Sequence, residues 1–96
     1  MHDWTLMTIS VDWERAVARL EFRWNDESRT VTAVGLSNLC LPRKLPWGPS
    51  VSVNRGIGPT KLESGEYSFV IEMQSGDEIE LVAQQFEIPP IQRISN

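Results

Sequence analysis

Apolar and polar residues alternate along most of this 96-residue chain, and turn-forming residues interrupt the alternation at intervals of roughly ten positions. A period of two directs successive side chains to opposite faces of a strand, whereas a helix repeats every 3.6 residues. The pattern therefore predicts an all-β fold, a small antiparallel β-sandwich or half-open barrel of about six or seven strands. With 41% hydrophobic residues, we expect one domain over residues 1–96, with 91–96 as a frayed tail.

The clearest predicted element is a hairpin over residues 67–86. Its first strand places apolar side chains at every second position from Tyr67 to Met73, and the alternation resumes at Ile79. The intervening Ser75-Gly76-Asp77 suits a tight turn, because glycine readily adopts a positive φ. Further strands are expected over Trp4–Val11, over Arg29–Leu36 with a bulge or a close backbone approach at Gly35, and from about Ser50 onward.

Residues 13–24 fit two patterns. Trp13, Val17, Leu20 and Trp24 are spaced as on one face of a helix, and Asp12 could cap its start. The same stretch also alternates as a strand, which would end at the turn-forming pair Asn25-Asp26. We favour the strand, with a short helix as the alternative.

The tryptophans and the single cysteine are expected mainly in the core. Trp4, Trp13 and Trp24 fall in the first two predicted elements, so we predict that they are buried there. Cys40 lies between Leu39 and Leu41 and is predicted to be a small buried apolar residue rather than a reactive thiol. One cysteine and one histidine exclude an internal disulfide and a Cys/His zinc site.

Charge is distributed unevenly along the chain. The formal net charge is −4, yet residues 1–48 carry six acidic and six basic side chains, so the excess lies in the second half. Because binding to nucleic acid needs a cationic surface, we predict no nucleic-acid partner. We find neither a signal peptide nor an apolar run long enough for a membrane span. A cytoplasmic location without a membrane is expected.

Three blocks of sequence resemble a family of small bacterial proteins of uncharacterised function. The blocks are His2-Asp3-Trp4, the stretch from Pro42 to Asn54 that contains Pro-Trp-Gly-Pro-Ser-Val-Ser-Val-Asn, and Ile71–Asp77. The resemblance extends over nearly the whole chain. It implies a bacterial, cytosolic, single-domain protein, and it supplies no catalytic residues.

Two rows of polar side chains are one candidate binding surface. They are Ser50, Ser52 and Asn54 in one predicted strand and Glu72 and Gln74 in another. If these strands are neighbours, hydroxyl, amide and carboxylate groups would converge on one patch that could hold a peptide or a small polar ligand. The alternative, which we favour, is the ordinary solvent-facing side of an antiparallel sheet.

A second candidate is the proline-bracketed loop that contains Arg43, Lys44 and Trp47. Prolines restrict the shape of such a loop, and an exposed tryptophan with an arginine is typical of binding hot spots. The alternative is that Trp47 closes the open end of the core and Arg43 covers its ring. We favour burial, because a small domain needs its large apolar side chains in the core.

Catalytic, metal and cofactor sites are not predicted. His2 is the only side chain whose usual pKa suits a general base near neutral pH, and it lies beside the terminus. Asp77, Glu78 and Glu80 could offer oxygen ligands to a hard cation, but alternation leaves the shell incomplete. Solvated charge is the favoured interpretation of this cluster.

These observations predict a non-enzymatic module that recognises a protein or peptide partner. One form is an immunity-type protein that neutralises a basic toxin domain, because a small acidic surface gives fast, salt-sensitive association. The alternative is a small-ligand-binding or enzymatic domain that uses Ser52, Asn54, Glu72 and Gln74. A homodimer formed through an edge strand, with tryptophans in the interface, is a third possibility.

Overall fold

One six-stranded antiparallel sheet makes up the fold. The computed structural model describes residues 1–43 and 51–89. The strands are β1 (Thr5–Asp12), β2 (Val17–Trp24), β3 (Glu27–Cys40), β4 (Val53–Lys61), β5 (Tyr67–Met73) and β6 (Glu78–Glu87). They lie in the order β1-β2-β3-β6-β5-β4. The all-β prediction is confirmed, and the expected tail at 91–96 lies outside the described residues.

The two edges of the sheet meet at one end. The Leu6 N–H donates to the Val51 carbonyl at 3.1 Å, and the Val53 N–H donates to the Trp4 carbonyl at 2.8 Å. An isolated bridge joins Thr5 to Ser52. These bonds connect the start of β1 to the start of β4, so the sheet has the form of a half-open barrel.

The core lies on the concave face of this sheet. Its 13 buried apolar residues come from the segment before β1 and from β2 to β6. Ala18, Leu20 and Phe22 of β2 are buried, as the alternating pattern predicts. Ile79, Leu81 and Ala83 of β6 are also buried. Burying a side chain such as leucine or phenylalanine contributes about 1.5–3 kcal/mol, so this face supplies most of the driving force for folding.

The ambiguous stretch forms strand β2 rather than a helix. Asp12 does accept a hydrogen bond from a backbone N–H three residues later, that of Arg15 at 3.2 Å. This bond closes the β1–β2 turn instead of starting a helix. Asn25 and Asp26 both have a positive φ, as a type I′ hairpin turn requires. The two turns therefore favour the alternating pattern over the helical one.

Gly35 lies at an irregular point in the long strand β3. Its φ is +73°, and a Cβ at this position would lie 2.8 Å from the Gln84 side chain. The pairing between β3 and β6 shifts register just beyond, between Leu36 and Asn38. Gly35 therefore lies at a close approach to the Gln84 side chain, and the bulge itself lies just beyond it. Beyond it, β3 continues to Cys40 as a single strand.

The last hairpin matches its prediction. Phe69 pairs with Leu81 and Ile71 with Ile79, all four on the buried face. Gly76 has a φ of +99° in the connecting turn. The Met73 N–H donates to the Asp77 carbonyl at 2.8 Å and closes the turn. The described residues contain no helix with the length and hydrophobicity needed to cross a bilayer.

Candidate functional site

The two predicted polar rows do come together. Strands β4 and β5 are antiparallel neighbours, with Val53 paired to Met73. The Asn54 amide donates to Glu72 Oε1 at 2.8 Å, and the Gln74 N–H donates to the Ser52 carbonyl at 2.9 Å. Of the predicted row, only Ser50 lies outside the described residues. The convergence follows from the pairing of the strands, which the alternation alone did not determine.

Two further residues complete the row, and sequence reasoning did not single out either as a site residue. The Arg55 Nε lies 3.0 Å from Glu72 Oε1 and forms an ion pair with it. The Gln74 amide donates to Asp3 Oδ1 at 2.9 Å, across 71 positions of sequence. A bulge between Val53 and Arg55 shifts the register and places Arg55 opposite Glu72. No signal in one sequence predicts that offset.

Glu72 is the electrostatic centre of this row. Its side chain is 21% exposed. The Asn54 hydrogen bond is the main reason that the pKa of Glu72 lies below its usual value of about 4.5. Partial burial opposes this effect, and the Arg55 guanidinium adds to it. Because Asn54, Arg55 and Gln74 already bond to carboxylates of the chain itself, the row mainly joins the amino-terminal segment, β4 and β5.

An acidic face lies on the outer surface of β5 and β6. We define it by Glu72, Glu78 and Glu80. Glu72 pairs directly with Glu78 across the two strands, and Glu80 follows two positions later on the same face of β6. Glu78 and Glu80 are exposed, and the Ser68 hydroxyl donates to Glu80 Oε2 at 3.3 Å. Arg55 forms an ion pair with this face through Glu72.

Asp77 is separated from this face. It is 6% exposed and lies in the β5–β6 turn, where the Ser75 hydroxyl donates to its Oδ2 at 3.0 Å. The predicted cluster of Asp77, Glu78 and Glu80 is therefore divided between a buried turn position and the outer face. Among the described residues, no group of three or more His, Cys, Asp or Glu side chains could hold a metal ion. His2 is exposed and contacts Asp3 at 3.2 Å.

The proline-bracketed loop is only partly described. Arg43 is exposed and borders an apolar concavity of about 390 Å³, which is also lined by Leu6, Ile9 and Leu41. It does not contribute to the polar row. Lys44 and Trp47 lie outside the described residues. The alternatives of a displayed or buried Trp47 therefore stay predictions.

Trp13 is displayed rather than buried. It lies in the β1–β2 turn and is 91% exposed, which contradicts its predicted place in the core. Trp4 is buried as predicted, and the half-buried Trp24 has the Arg29 guanidinium 6.0 Å from its ring centroid. The prediction for Trp13 was wrong because the strand pattern begins after the turn, so the tryptophan belongs to neither face of the sheet.

Trp13 borders an apolar concavity of about 560 Å³. Its lining comes from the end of β1, the β1–β2 turn and the far end of β3: Val11, Trp13, Ala16, Leu36, Ser37, Asn38 and Leu39. None of these seven side chains is charged. The concavity exists because β3 extends beyond the end of β2, so among the described strands its last residues have a neighbour on one side only.

Cys40 is exposed, and the prediction that it is buried was wrong. It pairs with Glu80 on the outer face, whereas its neighbour Leu39 pairs with the buried Leu81. The register shift after Leu36 determines which of the two points outward. Flanking leucines therefore misled the prediction, because in a strand the immediate neighbours lie on the opposite face.

Comparison with protein-family models, with curated proteins and with solved structures finds no match to this chain. The resemblance carried by His2-Asp3-Trp4 and the two later blocks therefore stays a prediction. The surfaces that bear on function are the polar row, whose side chains bond to one another and to Asp3, the acidic face, and the concavity beside Trp13.

Proposed function

We propose that this protein is a non-enzymatic binding module that recognises a basic protein partner through the acidic face. The direct pairing of Glu72 with Glu78 is the observation that carries the proposal. Two carboxylates placed opposite each other on adjacent strands destabilise a sheet. A cationic partner would turn that repulsion into attraction.

The surrounding charges support the same conclusion. From Glu63 to Glu87 the chain has seven acidic side chains and no lysine or arginine. Arg55 offsets only one carboxylate of the face, because its Nε bonds to Glu72. The remaining negative potential would steer a basic partner toward β5 and β6 and speed its association.

The alternative of a small-ligand or enzymatic site has less support. Its residues Asn54, Glu72 and Gln74 already bond to one another or to Asp3, so a ligand would have to break those bonds. Glu78 and Glu80 also border a concavity of about 440 Å³, which would receive a cationic side chain of a protein partner. An immunity-type protein acting in the cytoplasm is the concrete form of the module that we propose.

The proposal can be tested with an oligolysine peptide as the basic probe. We expect binding at about 20 mM salt that weakens strongly toward about 500 mM, because salt screens exposed charges. A double variant Glu78→Gln/Glu80→Gln should weaken binding about tenfold, or ~1.4 kcal/mol. Calorimetric titration would measure both effects.

The matched control is the double variant Glu14→Gln/Glu21→Gln. It removes the same charge from two exposed residues of the β1–β2 hairpin. We expect this control to bind almost as well as the original chain. Equal losses in the two double variants would show a response to net charge alone, and the proposed site would then be wrong.

A further inference from the structure

The patch beside Trp13 combines a protruding side chain with a hollow. We define the Trp13 patch by the seven residues that line the larger concavity. Trp13 itself is 91% exposed, and the adjacent hollow of about 560 Å³ has Leu36 and Leu39 in its lining. An exposed indole has a large apolar surface without a partner. A protruding side chain beside a concavity allows one surface to pair with a copy of itself, because each copy supplies both complementary parts.

The patch also contains a strand edge that has no partner among the described strands. β2 pairs with β3 only as far as Val34, and the last backbone contact on that side is the Leu36 N–H to the Ala16 carbonyl at 2.8 Å. From Ser37 to Cys40, β3 bonds only to β6 among the described strands. Unpaired N–H and C=O groups of this kind readily accept another strand.

The outer edge of β4 is less suited to pairing with another chain than the exposed edge of β3. The pairing of β4 with β5 shifts register twice, and Pro59 lies within the second irregular stretch. Bulges and prolines protect an edge against pairing with another chain. The segment Ser37–Cys40 contains no proline, lysine or arginine.

Charge decides which partner fits the patch. A basic protein would gain nothing from seven uncharged side chains, so the partner of the acidic face does not explain this surface. Two copies of the chain, each with a net charge of −4, repel each other least where a neutral surface faces its own image. We propose that the protein forms a two-fold symmetric homodimer through the Trp13 patch.

In this dimer the Ser37–Cys40 segments of the two copies pair as antiparallel strands. Each Trp13 side chain enters the hollow of the other copy. An aromatic side chain buries roughly 150–250 Å², so the two indoles supply roughly 300–500 Å². The edge strands and the leucines around them must supply the remainder of the roughly 1,200 Å² that a small stable interface buries.

Sedimentation velocity on the full chain tests the proposal. We expect the mass of two chains at a concentration on the order of 10–100 µM and dissociation on dilution. Trp13→Ala should raise the dimer Kd at least about tenfold. Asn38→Lys, which places a cation on the exposed edge of each copy, should have a similar effect. Leu62→Ala, at an exposed apolar residue elsewhere, is the matched control and should leave the Kd unchanged.

Each outcome decides for or against this interface. If the protein is a monomer at every concentration, the proposal is wrong, and the partner of the patch is then a different protein. A dimer that is insensitive to both Trp13→Ala and Asn38→Lys also overturns it, because the contact then lies elsewhere. Circular dichroism of each variant confirms that a lost dimer is not a lost fold. Oligolysine binding by the monomeric variants keeps this test separate from that of the acidic face.

Discussion

Replacing Trp4 or Trp13 by alanine deletes the same atoms from two very different environments. Trp4 is 5% exposed, and its ring centroid lies 5.5 Å from that of Phe22. Its carbonyl also accepts the Val53 N–H that helps to join the two edges of the sheet. Trp13 is 91% exposed in a turn. If burial determines what a tryptophan contributes, the two variants should differ widely in stability.

The structure gives the expected size of that difference. Truncating a buried tryptophan to alanine costs about 3–5 kcal/mol, because it removes apolar contacts and leaves a cavity. A domain of this size has a total stability of about 5–15 kcal/mol. Trp4→Ala should therefore lower Tm by at least about 12 °C. Trp13→Ala should change the free energy of unfolding by no more than about 0.5 kcal/mol.

Urea unfolding followed by far-UV circular dichroism would measure both free energies. The protein should be dilute, so that loss of a dimer does not add to the effect of Trp13→Ala. Trp4→Phe serves as a control, because it keeps an aromatic ring beside Phe22 and should cost less than Trp4→Ala. Similar losses for Trp4→Ala and Trp13→Ala, or a loss below about 1 kcal/mol for Trp4→Ala, would refute this account of the core.

Two further predictions concern the backbone and the pH dependence of stability. Gly35→Ala should cost about 2–4 kcal/mol in urea unfolding, because it combines a positive φ with a Cβ 2.8 Å from Gln84. Gly65→Ala also has a positive φ but meets no atom within 4 Å, so a loss as large as that of Gly35→Ala would contradict the steric argument. Because the pKa of Glu72 is lower in the folded protein, its ionised form stabilises the fold above about pH 4.5, and this contribution is lost as the pH falls further. Between pH 7 and 3, the melting temperature should fall less steeply for Glu72→Gln than for the control Glu63→Gln. Parallel profiles would contradict a lowered pKa of Glu72 and therefore the proposed role of its hydrogen bond with Asn54.

The alternating pattern was sufficient to predict the fold class and most strands. In β2 and in the last hairpin, the residues predicted to share a face are buried together, as with Leu20 and Phe22. Turn chemistry supplied the other reliable signal, because Asn25-Asp26 and Gly76 adopt the positive φ that their turns require. Both signals depend only on nearby residues, so they can be read from the sequence without knowing which strands become neighbours.

The error for Cys40 and the missed contacts of the polar row occurred where a register shift or a long-range contact decides the outcome. The two leucine neighbours of Cys40 predict a core position, but the shift after Leu36 turns Cys40 outward. The links from Arg55 to Glu72 and from Asp3 to Gln74 depend on a bulge and on closure of the sheet. One sequence contains no signal for either.

The candidate surfaces show the same division between what neighbouring residues determine and what strand pairing decides. The sequence by itself determined an acidic second half and an all-β chain rich in tryptophan, because composition and period are properties of neighbouring residues. Only the tertiary structure decided that Glu72 and Glu78 stand opposite each other and that Trp13 is displayed beside a hollow. The physical reason is that a strand pattern assigns side chains to faces, whereas pairing and register decide which faces meet.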